Sequence, residues 1–128
     1  MKVLLIDDDP KFRALIKRLL EKKFDAIVDE AADGLAGIEM VKKGGPNIIF
    51  LDYEMPHMNG KQFLEKLRVF NRIIPVAVMT AHSEKEIVKD MIPYGITDYI
   101  IKADMVTGLA ERIGQIFAKN IHLISRKV

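Results

Sequence analysis

Residues 4–10 read LLIDDDP, an apolar run from Val3 to Ile6 that stops at Asp7, Asp8 and Asp9 and then at Pro10. Adjacent carboxylates repel, so three in a row at the end of a buried-looking segment need a reason. The apolar run has the length and character of a strand covered on both faces. Pro10 is pre-set for the first position of a helix. Asp9, directly before it, reads as the helix N-cap. That leaves Asp7 and Asp8 at the carboxyl end of a strand.

The pattern repeats along the chain. Further short apolar runs occur at Ala26–Val28, Ile48–Leu51, Val76–Met79 and Tyr99–Ile101. Between them lie stretches with helical spacing. Phe12, Leu15, Ile16, Leu19 and Leu20 define one face of the first,. Ile38 and Val41 follow Asp33-Gly34, and Phe63, Leu64 and Leu67 follow Asn59-Gly60. Ile87, Val88 and Met91 follow Ser83, and Leu109, Ile113, Ile116 and Phe117 follow Thr107. Five strands alternating with five helices make a (βα)5 chain. The expected fold is α/β, a flavodoxin-like doubly wound parallel sheet of strand order 2-1-3-4-5 with right-handed crossovers. Pro93 predicts that the fourth helix stops early or kinks. Residues 121–128 read as a longer last helix, with the start of a linker as the alternative.

Composition narrows the function. The chain has 128 residues, 49% of them hydrophobic, which suits one domain over 1–128 with one core,. There is no cysteine, hence no disulfide and no thiolate metal site,. Met1-Lys2 followed by a short apolar run ending in acid is not a signal peptide, and no apolar stretch is long enough to span a membrane,. Twenty basic residues stand against 18 acidic ones, and they are scattered, so a solvated exterior is expected rather than a nucleic-acid surface,. The expected location is cytoplasmic.

In such a sheet, ligands bind beyond the carboxyl ends of the strands where the strand order reverses. Asp7 and Asp8 end strand one, and Asp52 ends strand three within IIFLDYEMP. Order 2-1-3-4-5 makes those strands neighbours and brings three carboxylates together. A hard divalent cation neutralises them; Mg²⁺ accepts carboxylate oxygens and keeps waters that a phosphate can replace. Thr80 ends strand four and Lys102 ends strand five. Three carboxylates, one Mg²⁺ and one ammonium sum to zero charge, a balance suited to a phosphoryl donor. Phosphoryl transfer needs mainly positioning and charge stabilisation, and a carboxylate can be its nucleophile.

Asp7-Asp8, Asp52 within LDYEMPHMNG, Thr80-Ala81 and Lys102, each at a strand end and in this order, carry a resemblance. The chain resembles the receiver domain of two-component response regulators, of the chemotaxis-regulator type, over essentially its whole length. The resemblance implies that Asp52 accepts a phosphoryl group from a histidine kinase or phosphotransfer protein, with Mg²⁺ (or Mn²⁺) as cofactor. It implies that Asp8 ligates the metal directly, Asp7 directly or through water, with Asp52 and the Glu54 backbone carbonyl completing the protein ligands. Thr80 and the Ala81 amide would bind phosphoryl oxygens, and Lys102 would pair with the phosphoryl group. Thr80 and Tyr99 would form the switch, relaying through the fourth helix, fifth strand and fifth helix to a downstream protein, to an output domain outside this chain, or to a homodimer partner. Glu54 and His82, two residues past Asp52 and Thr80, would tune the phosphoryl lifetime. Such a domain is not an enzyme beyond catalysing its own phosphorylation and dephosphorylation.

Plainer readings stand beside these. Thr80 alone is a strand-end threonine, Lys102 a surface lysine and Tyr99 a core residue with a wet hydroxyl. His57 and His82 are lone histidines with no second ligand at metal spacing. Met55 and Met58 read as loop packing around Pro56, and Gly60 as a turn that starts a helix. One departure from the family is Lys102-Ala103, where the family carries Lys-Pro, so a trans bond is expected. The rival functions are a receiver-like module that only binds proteins, a haloacid-dehalogenase-type phosphatase and a flavin binder. The intact Asp8, Asp52, Thr80 and Lys102 oppose the first. Asp-Tyr-Glu after strand three, in place of Asp-x-Asp after strand one, opposes the second. The acidic first loop opposes the third.

Overall fold

The computed structural model describes residues 1–81, 85–102 and 108–125. Five strands, β1 (Lys2–Ile6), β2 (Ile27–Ala31), β3 (Ile48–Asp52), β4 (Val76–Thr80) and β5 (Asp98–Ile101), form one parallel sheet of order β2-β1-β3-β4-β5. Between and after them run α1 (Pro10–Phe24), α2 (Gly34–Lys42), α3 (Gly60–Phe70), α4 (Lys85–Met91), α5 (Leu109–Lys119) and α6 (Ile121–Ser125). This is the doubly wound architecture that the alternating periods predict.

The pleat divides the core in two. Val3 and Leu5 of β1 and Phe50 of β3 face α1 and α5, against Ile16, Leu20, Ile113 and Phe117. Leu4 and Ile6, one residue out of phase, face the other layer with Leu51, Ile38, Phe63, Leu64 and Met91. Every residue of β3 and β4 is buried, as continuous apolar runs require,.

Local chemistry starts the helices. The Asp9 side chain accepts from the Lys11 and Phe12 amides at 3.0 and 3.4 Å, so Asp9 is the cap expected before Pro10. Asn59 and Gln62 form a reciprocal capping box at α3,. Gly60 lets that helix begin against the strand end: a Cβ there would stand 3.0 Å from the Tyr53 Cα. At the end of α4, Pro93 converts the chain into a single 3₁₀ turn, Ile92–Tyr94, closed by Gly95 at φ 77°, so the helix does stop early.

Three expectations are corrected. Leu15, assigned to the inner face of α1, is 53% exposed; the buried stripe is carried by Ile16 and Leu20. Second, β2 is not covered on both faces. It lies at the sheet edge, starts at an exposed Ile27 and extends through Asp29 and Glu30, alternating outward and inward. Third, the last helix does not continue unbroken. It ends at Lys119 with Asn120 as its C-cap, and the Asn120 side chain donates to the Ile116 carbonyl at 2.8 Å before α6 begins. Ser83 and Thr107, which precede the fourth and fifth helical stretches, together with His82 and the Lys102–Ala103 bond, lie outside the described residues.

Candidate functional site

The site is assembled by register. Ile6 pairs with Leu51, so Asp7 follows β1 beside Asp52, the last residue of β3. Thr80 pairs with Ile101, which sets Lys102 just beyond β5. Asp7, Asp8 and Asp52 each present a carboxylate oxygen within 4.8 Å of the others. Their environments differ. Asp7, Asp52 and Thr80 are buried and Asp8 is exposed. Glu54 is exposed, two residues past Asp52, and its amide donates to Asp52 Oδ1 at 3.4 Å. Ala81 is exposed at the end of β4.

Lys102 Nζ sits between the two buried acids, 3.1 Å from Asp7 Oδ2 and 3.3 Å from Asp52 Oδ1. Asp7 Oδ2 meets the ammonium without hydrogen-bond alignment, and Asp52 Oδ2 is buried with no hydrogen-bond partner among the described residues. Burial first, and the Asp7 charge second, push the Asp52 carboxyl up to about 8 against the opposing pull of Lys102. Burial lowers the Lys102 ammonium, but the charges of Asp52 and Asp7 outweigh it and the net shift is upward. Ionised together, the three carboxylates and the one ammonium leave a charge deficit of about two. An orphaned buried oxygen, an all-oxygen donor set and that deficit together fit a hard divalent cation.

Two residues of α1 also reach this site, Phe12 of the apolar stripe and Arg13, which no sequence signal marks. Arg13 Nη1 donates to the Asp7 backbone carbonyl at 2.6 Å, while its Nε is held by Glu30 at 3.1 Å; Lys17 holds the other Glu30 oxygen at 3.1 Å. The Phe12 ring lies under Lys102 Nζ, 4.4 Å from ammonium to centroid. Apolar spacing marks Phe12 as inward, which it is, but spacing does not show that its face meets a charge. Asp9 stays with the helix cap, outside the acidic cluster.

Tyr99 points outward, 41% exposed. Its backbone is tied to α5, because Arg112 Nη2 donates to the Tyr99 carbonyl at 3.0 Å and pairs with Asp98. His57, exposed at a positive φ of 68°, stands outside the acidic cluster.

A doubly wound sheet with an acidic cluster at its switch point, and a threonine and a lysine on the next strand ends, defines an α/β module with a candidate cation site at the carboxyl edge of its sheet,. The particular family follows from sequence. Residues 3–113 match the response regulator receiver domain. The chain is 31% identical over 121 residues to the chemotaxis protein CheY-3 of Vibrio cholerae, covering 93% of both chains. It is 30% identical to the chemotaxis protein CheY of Pseudomonas aeruginosa, covering 93% of this chain and 98% of that one. In fold it is similar to the V. cholerae chemotaxis protein CheY4, with a TM-score of 0.81 at 24% identity over 90% of this chain and 97% of that one. It is likewise similar to a LuxR-family two-component response regulator from Aurantimonas sp., with a TM-score of 0.82 at 24% identity over 91% and 84%. The chain belongs to the response regulator receiver domain family and is a module of two-component signal transduction.

Proposed function

We propose that Asp52 is the phosphoacceptor of a single receiver domain and that Mg²⁺ is its cofactor. The observation that carries this reading is the buried Asp52 Oδ2, without a hydrogen-bond partner among the described residues and within reach of Asp7 and Asp8. Asp7, Asp8 and Asp52, with the Glu54 backbone carbonyl, would hold the ion. Bound there, Mg²⁺ (or Mn²⁺) supplies charge neutralisation and a site for phosphoryl oxygens.

The chain's own residues do the rest. An Asp52 carboxylate oxygen attacks phosphorus, the new O–P bond forms as the N–P bond to the donor histidine breaks, and the imidazole leaves with a proton. Lys102, 3.3 Å from Asp52 Oδ1, is placed to pair with the incoming phosphoryl oxygens. Thr80 and the Ala81 amide contribute hydrogen bonds to the same oxygens. Drawing Thr80 toward the phosphoryl group frees space into which the exposed Tyr99 turns, and the α4–β5–α5 surface changes. Glu54 and His82 tune the hydrolysis of the acyl phosphate. The donor is a histidine kinase or phosphotransfer protein. The receiver of the signal is a downstream protein, an output domain or a second copy through α4–β5–α5. Catalysis stops at the domain's own phosphorylation and dephosphorylation. The location that goes with a module of two-component signalling is cytoplasmic; among the described residues no helix is long and apolar enough to cross a membrane.

The test is incubation with acetyl phosphate and Mg²⁺, followed by intact-mass measurement. The wild type should gain one phosphoryl group and Asp52→Asn none. A wild type that gains nothing, or one that releases phosphate over many turnovers from varied phosphoesters, would overturn this reading.

A further inference from the structure

We infer that Phe12 is a positioning residue for the Lys102 ammonium, holding it at the site through the face of its ring. The inference rests on the phosphoacceptor reading above, in which Lys102 meets the phosphoryl group.

Among the described residues the ammonium meets Asp7 Oδ2 at 3.1 Å, Asp52 Oδ1 at 3.3 Å and the Phe12 ring centroid at 4.4 Å. An aromatic face attracts a cation through its quadrupole, and more strongly where water is excluded. Water is largely excluded here, since the Lys102 side chain is 18% exposed and both acids are buried. The three partners differ in kind. Both carboxylates belong to the cluster that fits a divalent cation, so an incoming ion competes with Lys102 for them. The ring does not bind a hard divalent ion. With the carboxylates engaged by a metal, the Phe12 ring would still hold the ammonium in place.

The ring is itself well fixed. Its amide donates to Asp9, the N-cap of α1, and its side chain packs on the core beneath β1 and β3. The next residue, Arg13, clamps the Asp7 carbonyl at 2.6 Å. The first turn of α1 therefore supports both the Asp7 and the Lys102 side of the pair.

The experiment uses the full chain, with acetyl phosphate as donor and Mg²⁺ affinity measured separately by calorimetry. Phe12→Leu should slow phosphorylation about three- to tenfold, the range set by one cation–π contact, while Mg²⁺ affinity stays within about twofold. Phe12→Tyr, which keeps the ring face, should restore the rate. In a Lys102→Ala background, Phe12→Leu should produce no further slowing. A wild-type upfield ring-current shift of the Lys102 ε-protons, lost in Phe12→Leu and kept in Phe12→Tyr, reports the contact without any phosphoryl transfer. An unchanged Phe12→Leu rate in an active protein, further slowing without Lys102, or the absence of the ring-current shift overturns the positioning role alone. A wild type that takes up no phosphoryl group overturns the proposed function, and with it the catalytic part of this inference.

Discussion

Asp9 accepts from two amides of the helix it starts, Asp7 is buried against Lys102, and Asp8 faces solvent. Three identical side chains in sequence thus have three environments. Asp9→Ala should cost about 1 kcal/mol of stability in urea denaturation and leave Mg²⁺ affinity within about twofold. Asp8→Ala should abolish Mg²⁺ binding by calorimetry with little loss of stability, because the Asp8 side chain is exposed. Equal damage to Mg²⁺ affinity from both substitutions would refute this division of the triplet. The division was legible from the sequence, because a proline after an aspartate is a local cap signal. The Phe12 and Arg13 contacts were not legible, since each joins α1 to groups whose positions depend on the finished fold.

At the scale of elements, the strand ends were legible because period and punctuation are local properties. Asp52 and Thr80 close strands whose every residue is buried, and β3 and β4 read as unbroken apolar runs for that reason. The edge strand β2 reads differently: Ile27 faces water at 62% exposure, and Asp29 and Glu30 lie within the strand. Which strand is an edge depends on the order of pairing, and no single run encodes it. The loop after β3 is held by Gly60, whose amide donates to the Tyr53 carbonyl at 2.8 Å. A Cβ at Gly60 would meet the Tyr53 Cα at 3.0 Å and its Cδ2 at 3.1 Å. Gly60→Ala should therefore destabilise the fold by about 1–3 kcal/mol in urea denaturation. It should also slow phosphorylation, because the Tyr53 backbone follows Asp52 directly. An unaltered midpoint would show that the loop relaxes freely.

The whole molecule's response to pH and metal follows from the buried charge. The Asp52 carboxyl is raised to about 8 from an ordinary 3.8, so the metal-free folded state binds a proton more tightly than the unfolded chain. Between those two values the folded state holds more protons, and stability falls as pH rises. The contribution is full below the unfolded value and is lost toward about pH 8. The metal-free protein should thus melt at a higher temperature near pH 5 than near pH 8 by differential scanning calorimetry. Asp52→Asn should flatten that slope and gain about 1–3 kcal/mol near pH 8. Millimolar Mg²⁺ should raise the wild-type melting temperature most at the alkaline end, where the carboxylate is exposed to its neighbours' charge. A wild-type slope of opposite sign without metal would contradict the buried-acid account. The sequence by itself determined the alternation of strand and helix, the Asp9 cap, and the strand ends that carry Asp52, Thr80 and Lys102, because each is written in a few neighbouring residues. Only the tertiary structure decided the exposure of β2 and Leu15, the break at Asn120 and the ring beneath Lys102. Those features depend on which distant segments pack together, and packing is settled by the whole chain at once.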